Sequence, residues 1–213
     1  MKKIIATIAV VLLAATSLHA EGRPGFVGGF ASSTMSLKDV SFNSTSGYFV
    51  GVAYNQPLLL GFELQPQLTY NVKGTEWEQI KANVGYLEAG IQAQWGIELL
   101  GLAKVYVFGE PFVGYALNGT TDYSNSLEGV ALDALTGSKR VKVDMSEVGN
   151  RLEYGFGIGA GVKVIDHLQI YFKYYWDLNP TDLGDYVDTV KSKLTDLGNA
   201  KFNGLIIGAG LFF

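Results

Sequence analysis

Cysteine is absent from the 213 residues. That excludes disulfides, thiolate metal sites and a lipid anchor on an N-terminal cysteine. Histidine is almost as scarce, with His19 in the N-terminal stretch and His167 in the short connection Ile165–His167 alone, a placement that makes a Ser-His-Asp or Cys-His catalytic arrangement implausible. No apolar run is long enough for a membrane-crossing helix, which takes about 20 residues; the stretch Ile4 to Ala15 is shorter. Positive charge is not in excess either. Lys+Arg number 16 against 20 Asp+Glu, a formal charge of −4, and a basic nucleic-acid footprint is missing.

What is present begins with the N-terminus. Lys2 and Lys3 precede the apolar run, and Thr16, Ser17, Leu18, His19 and Ala20 follow it. A basic end, a short apolar centre and a small residue at the cut describe a secretory signal peptide. Residues 1–20 are therefore expected to be the signal and 21–213 a single domain, with cleavage after Ala20. Without Lys2 and Lys3 the domain has 14 basic and 20 acidic residues, a formal charge of −6. Its 27 glycines and its 12 Phe and 12 Tyr suit close-packed strands with aromatic belts.

The clearest segment is Gly61 to Gly74. Phe62, Leu64, Pro66, Leu68, Tyr70 and Val72 share one parity, and Glu63, Gln65, Gln67, Thr69, Asn71 and Lys73 share the other. Alternate residues of a strand point to opposite faces, so one face is apolar and the other polar. The same alternation marks Val84–Ile97, Leu102–Leu117, Arg151–Val164, Leu168–Asp177 and Phe202–Phe213, while Phe26–Leu37 and Gly47–Tyr54 complete a set of eight. Short connections at Asn55–Leu60, Glu98–Gly101 and Ile165–His167 alternate with longer ones, as in an outer-membrane barrel with short periplasmic turns and long external loops. The predicted fold is an eight-stranded antiparallel up-and-down transmembrane β-barrel. Its long outer loops are expected to carry short helices, one within 179–198 and one within 126–135.

Charge supplies an independent check of the register. In the third to eighth strands the charged residues are Glu63, Lys73, Glu88, Lys104, Glu110, Arg151, Glu153, Lys163, Lys173 and Asp177, each on the face opposite the apolar run. A Lys or Arg facing lipid at mid-depth costs about 2–4 kcal/mol, so this face should line the interior. The strand directions place Glu63, Lys104 and Lys163 at the periplasmic end and Glu88, Glu110 and Lys173 nearer the middle, with Lys73 at the outer mouth. An eight-stranded interior is filled by its own side chains, and buried ions must pair. Glu63, Glu88, Lys104, Glu110, Glu153, Lys163 and Lys173 are thus read as a structural ion-pair network that plugs the lumen, in preference to a proton relay. Pro66, a mid-strand residue without an N–H, predicts a bulge or a break in the ladder.

Other features read as structural. Glu88 and Glu110 could be cast as acid and base, but basic partners account for them. Asp182, Asp185 and Asp188 match no calcium loop, and Asn43-Ser-Thr and Asn118-Gly-Thr are common accidental sequons. No metal or cofactor is expected. The outer loops are the remaining place for activity, either capping the barrel or contacting an extracellular partner.

Gly47-Tyr-Phe-Val-Gly-Val52, the run Phe62 to Gly74 with its Leu-Gln-Pro-x-Leu-x-Tyr-x-x-Lys-Gly core, Tyr86-Leu-Glu88 and Glu110-Pro-Phe-Val-Gly-Tyr115 resemble the small outer-membrane β-barrel proteins of the porin-family or PorT-family type found in Bacteroidetes-like bacteria. The resemblance implies residence in the outer membrane of a diderm bacterium. The terminal Phe213, with Leu211 and Ala209 at alternate positions before it, is similar to the C-terminal signal that barrel-assembly machinery reads, which makes that machinery and outer-membrane lipid the expected partners. The expected role is non-catalytic, structural or in surface interaction. Two alternatives stand beside it: a small-solute porin, and a secreted lipocalin-like carrier in which the apolar faces would point inward.

Overall fold

The computed structural model describes residues 22–37, 40–41, 43–77, 80–99, 101–122, 140–143, 151–179 and 201–213. The expected signal peptide, most of the segment given to the 179–198 helix and all of that at 126–135 lie outside these residues. Among the described residues there are ten strands: β1 Arg23–Leu37, β2 Val40–Ser41, β3 Asn43–Pro57, β4 Phe62–Trp77, β5 Ile80–Leu99, β6 Ala103–Asp122, β7 Arg140–Val143, β8 Leu152–Val164, β9 Leu168–Asp177 and β10 Lys201–Phe212. All described pairings are antiparallel. The order β10-β9-β8-β6-β5-β4-β3-β1 is closed by β10 pairing with β1, so eight strands form a barrel, while β2 and β7 are short additions to β1 and β6.

The stagger of the barrel follows from the register. Gly29 pairs with Phe49, Phe49 with Asn71 and Asn71 with Tyr86. In the other direction Gly29 leads through Gly208, Tyr171, Gly161 and Tyr106 to Gly96. Tyr86 and Gly96 are ten residues apart on β5, which is the shear of the barrel. With eight strands this sets a tilt of about 40° and a backbone radius of about 8 Å, an interior about wide enough for side chains to fill.

Closure puts the alternating faces where the sequence predicts. Leu168 to Asp177 of β9 alternate strictly between exposed and buried, with Leu168, Ile170, Phe172, Tyr174 and Trp176 outside and Lys173 and Asp177 inside. Phe62 is 51% exposed and Glu63 7%. The lipocalin-like alternative is overturned, since a carrier of apolar ligands needs the opposite orientation. Tyr48, Tyr70, Tyr154 and Trp176 ring the outer end of the apolar surface, and Phe62, Trp95 and Phe213 ring the periplasmic end. Phe62 and Tyr70 are eight residues apart on β4, about 20 Å along the axis, close to the about 25 Å band between the aromatic girdles of such barrels.

Some boundaries differ from expectation. Asn55 and Gln56 belong to β3 rather than to a turn, because Gln56 and Pro57 pair with Leu64 and Glu63; the turn itself is residues 58–61, with Leu60 and Gly61 at φ of 60° and 80°. Strand β6 continues past Leu117 to Asp122. Gly85 pairs with Asn118 but Tyr86 with Ala116, so a bulge at Leu117 inverts the parity and hides the continuation in the sequence. At Pro66 the register to β3 does not shift: Ala53 pairs with Gln67 and Gln56 with Leu64, and the intervening pairs are missing. Pro111 breaks the β5–β6 ladder in the same way, between the pairs Gly90–Phe112 and Ala93–Gly109. The missing N–H interrupts one ladder without adding a residue.

Candidate functional site

The residues that could carry function inside the barrel come from its inward-facing positions. Nine charged side chains are buried there among the described residues: Glu63, Glu88, Glu110, Glu153 and Asp177 against Lys73, Lys104, Lys163 and Lys173. They fall into three tiers along the axis.

The periplasmic tier is centred on Glu63. Lys104 Nζ donates to its Oε1 at 2.6 Å, and Lys163 Nζ donates to its Oε2. Lys163 also donates to Asn55 Oδ1 and Gln94 Oε1, both at 2.8 Å, and Lys104 to the Gly61 carbonyl at 2.9 Å. One carboxylate thus holds two ammonium groups, and neutral oxygens supply the rest of their acceptors.

The middle tier is a neutral pair. Lys173 Nζ donates to Glu110 Oε1 at 2.7 Å. Gln67 and Gln92 amides donate to the two Glu110 oxygens at 2.9 and 3.0 Å, so the carboxylate is bonded from three directions. A second amide chain, Gln94 Nε2 to Gln65 Oε1 at 2.9 Å and to Gln92 Oε1 at 2.8 Å, links this tier to the first.

The outer tier reverses the balance. Lys73 Nζ lies 3.0 Å from Glu88, 3.0 Å from Glu153 and 3.3 Å from Asp177. The same ammonium sits over the rings of Tyr86, Phe112 and Tyr175 at 5.3, 4.9 and 4.6 Å from their centroids. Asn71 Nδ2 donates to both Glu88 oxygens at 3.1 Å. A single cation, 1% exposed, faces three carboxylates.

The structure therefore brings Glu63, Lys104 and Lys163 together at one end and Glu110 and Lys173 in the middle. Glu88 and Glu153 join Lys73 instead, which reaches inward rather than to the mouth. Lys73 and Asp177 were missed as members of the network. Their inward parity was visible, but strand ends look alike whether a side chain bends inward or outward. The bridging amides of Gln67, Gln92, Gln94, Asn55 and Asn71 were missed as well, although their place on the charged parity of each strand was the available signal. Among the described residues no group of His, Asp and Glu side chains could hold a metal ion. Ala209, Leu211 and Phe213 all face outward, and Phe213 packs edge-on against Phe26 with ring centroids 6.3 Å apart.

Comparison with known proteins agrees with this architecture. Residues 15–183 match the outer membrane protein beta-barrel domain family, and the chain belongs to that family. It is a small β-barrel protein of the outer membrane. Among solved structures it is similar to Neisserial surface protein A, with 11% identity over 91% of this chain and 98% of that one and a TM-score of 0.50. The attachment invasion locus protein Ail of Yersinia pestis, crystallised with the heparin analogue sucrose octasulfate, matches at 13% identity over 91% and 100% of the two chains, TM-score 0.45. The outer membrane enzyme PagL matches at 10% identity over 89% and 98%, TM-score 0.39. At these identities the likeness is one of fold. No curated protein matches the chain.

Proposed function

We propose that this barrel is a non-catalytic surface-contact protein whose lumen is plugged by its charged and aromatic side chains. The observation that carries the reading is the length of the outer strands. β5 and β6 have 20 residues each and β9 has 10. Past Tyr70 and Leu87, the β4–β5 hairpin runs seven more residues to Trp77 and Ile80, about 17 Å beyond the outer girdle at the rise and tilt of barrel strands. β6 extends with it and takes β7 as a further partner at Gly119–Asp122. Regular sheet that outlasts the apolar band meets neither lipid nor core, and a contact surface is the use that such an extension serves.

The three ion tiers support the plug and speak against the small-solute porin. Each tier joins strands across the axis: β4 to β6 and β8 in the first, β6 to β9 in the second, β4 to β5, β8 and β9 in the third. The Leu64-Gln65-Pro66 core favours the porin-family or PorT-type branch of such barrels.

A photo-reactive residue at Asn83 or Thr120, which pair with each other on the outward parity of the extended hairpin, is expected in intact cells to form adducts with extracellular or neighbouring-cell proteins. Adducts formed at the periplasmic turns and none at these two positions would refute the surface role. The plug is tested by planar-bilayer recording, where no steady steps are expected from the wild type. Single-channel steps that change on Glu110→Ala or Lys173→Ala would instead establish the porin.

A further inference from the structure

The periplasmic rim of the barrel is apolar where short aqueous turns would be polar. In the β3–β4 turn Leu59 and Leu60 are 83% and 89% exposed, and Leu102 of the β5–β6 turn and Ile165 of the β8–β9 turn are each 65% exposed. The three turns are joined side by side. Gly96 N donates to the Gly61 carbonyl at 3.1 Å and Ile165 N to the Leu102 carbonyl at 2.9 Å, so their apolar side chains form one arc. The arc ends at Asp166, which pairs with Arg23 at 3.2 Å.

Two of these side chains are held at a conformational cost. Leu60 has a φ of 60°, and Ile165 and Asp166 have φ of 49° and 55°. Positive φ is uncommon outside glycine, asparagine and aspartate and is an outlier for a β-branched residue, and a turn with two such central residues favours Asn-Gly. A residue kept in a disfavoured backbone state points to a use for its side chain.

The arc continues the lipid-facing band without a polar break. Below Trp95 the outward positions of β5 are Ile97 and Leu99, both exposed. At a rise of about 3.3 Å per residue and a tilt of about 40°, Leu99 lies about 10 Å below Trp95 along the axis. Phe62 and Tyr70 span only about 20 Å, whereas the lipid-facing band of such barrels is about 25 Å tall. On β1, β3 and β10 the difference is not found at the outer end, where Ser32, Ser46 and Asn203 follow Phe30, Tyr48 and Leu205. The periplasmic boundary of the hydrocarbon therefore falls at the turns. Their backbone suits that boundary, since Leu58 N donates to the Phe62 carbonyl at 2.8 Å, Phe62 N to that of Leu59 at 3.2 Å and Leu102 N to that of Leu99 at 3.2 Å. Backbone groups bordering lipid have to be paired within the protein.

We propose that this arc is an interfacial anchor, with Leu59, Leu60, Leu99, Leu102 and Ile165 set into the acyl boundary of the periplasmic leaflet. Its occupant is phospholipid, because the arc is continuous with the lipid-facing surface along β5. Apolar side chains at that depth hold the barrel as the apolar face of an amphipathic helix holds a peripheral protein. This depends neither on the surface role of the outer strands nor on the plug.

The absence of cysteine makes single-site spin labelling direct. Leu59→Cys and Leu102→Cys report on the arc and Ile91→Cys on the middle of the band. Glu98→Cys, exposed on the lumen parity beside Leu99, reports on water at the rim. Each variant is placed in oleoyl-chain phospholipid vesicles, with folding checked by heat-modifiable gel mobility. Collisions with oxygen should exceed those with a water-soluble nickel chelate several-fold at positions 59 and 102, as at 91, and the ratio should invert at 98. In thinner lauroyl-chain vesicles the ratio should fall at 59 and 102 and hold at 91. Nickel-dominated collisions at 59 and 102 in the oleoyl-chain vesicles would place the arc in water and overturn the proposal. Labels there screened from both reagents, or a ratio indifferent to chain length, would mean a protein cover such as a second copy and would overturn it too.

Discussion

Lys73→Met isolates the most demanding part of the interior. The substitution keeps the length of the aliphatic stem and removes the one cation that faces Glu88, Glu153 and Asp177 at 3.0, 3.0 and 3.3 Å. Removing one partner of a buried pair typically costs about 3–5 kcal/mol, because the remaining charge is uncompensated. Here three carboxyl groups are left facing one another with no cation among them, which adds to that cost. Loss of the cation over three aromatic rings adds about 0.5–1 kcal/mol or more per ring. The destabilisation at neutral pH should therefore reach at least about 4 kcal/mol.

Urea unfolding in detergent or thin lipid vesicles, read as the ratio of folded to unfolded bands on an unheated gel, measures it. Two further outcomes follow from the same cause. Acidification neutralises carboxylates, so the deficit of the variant should shrink as the pH falls. Adding Glu153→Gln and Asp177→Asn to Lys73→Met should restore much of the loss, since only Glu88 is then left without its ammonium partner and it keeps the hydrogen bonds from Asn71. A single variant within about 1 kcal/mol of wild type, the size expected of an exposed pair, would refute the reasoning. A triple variant no better than the single one would do the same.

At the periplasmic end, Glu63→Gln leaves Lys104 and Lys163 facing each other and should cost about 3–5 kcal/mol in the same unfolding assay, with partial recovery on adding Lys163→Met. Pro66→Ala supplies the N–H missing from the β3–β4 ladder; it should stabilise by about 0.5–1.5 kcal/mol and slow hydrogen exchange at that amide, and rapid exchange there would show that the ladder is open for another reason. A Cβ at Gly29 would run into the carbonyl of Ile207, whereas one at Gly157 meets the flexible Lys173 stem at 3.0 Å and the Tyr174 carbonyl at an ordinary 3.4 Å. Gly29→Ala should hence lower the yield of folded barrel while Gly157→Ala leaves it near wild type, and equal yields would argue against tight closure at the β1–β10 seam.

Much of this molecule was decided by the period of its strands. A side chain's parity settles which face it joins, and burying nine charges is tolerable only when all of them share the inner face, so the alternation from Phe62 to Lys73 or from Leu152 to Val164 already contained the orientation of the barrel, its eight walls and its membrane habitat. Parity also carries an error wherever one residue is added, which is why the bulge at Leu117 concealed the end of β6. The sequence could not say which charge meets which. That depends on the shear: a stagger of ten residues sets the relative heights of strands that are distant in the chain, and only then do Lys73 of β4, Glu153 of β8 and Asp177 of β9 arrive at one level. The same stagger decides how the polar ends of each strand line up around the rim. Each strand's apolar length can be counted alone, but which lengths lie across the axis from one another is a property of the closed barrel.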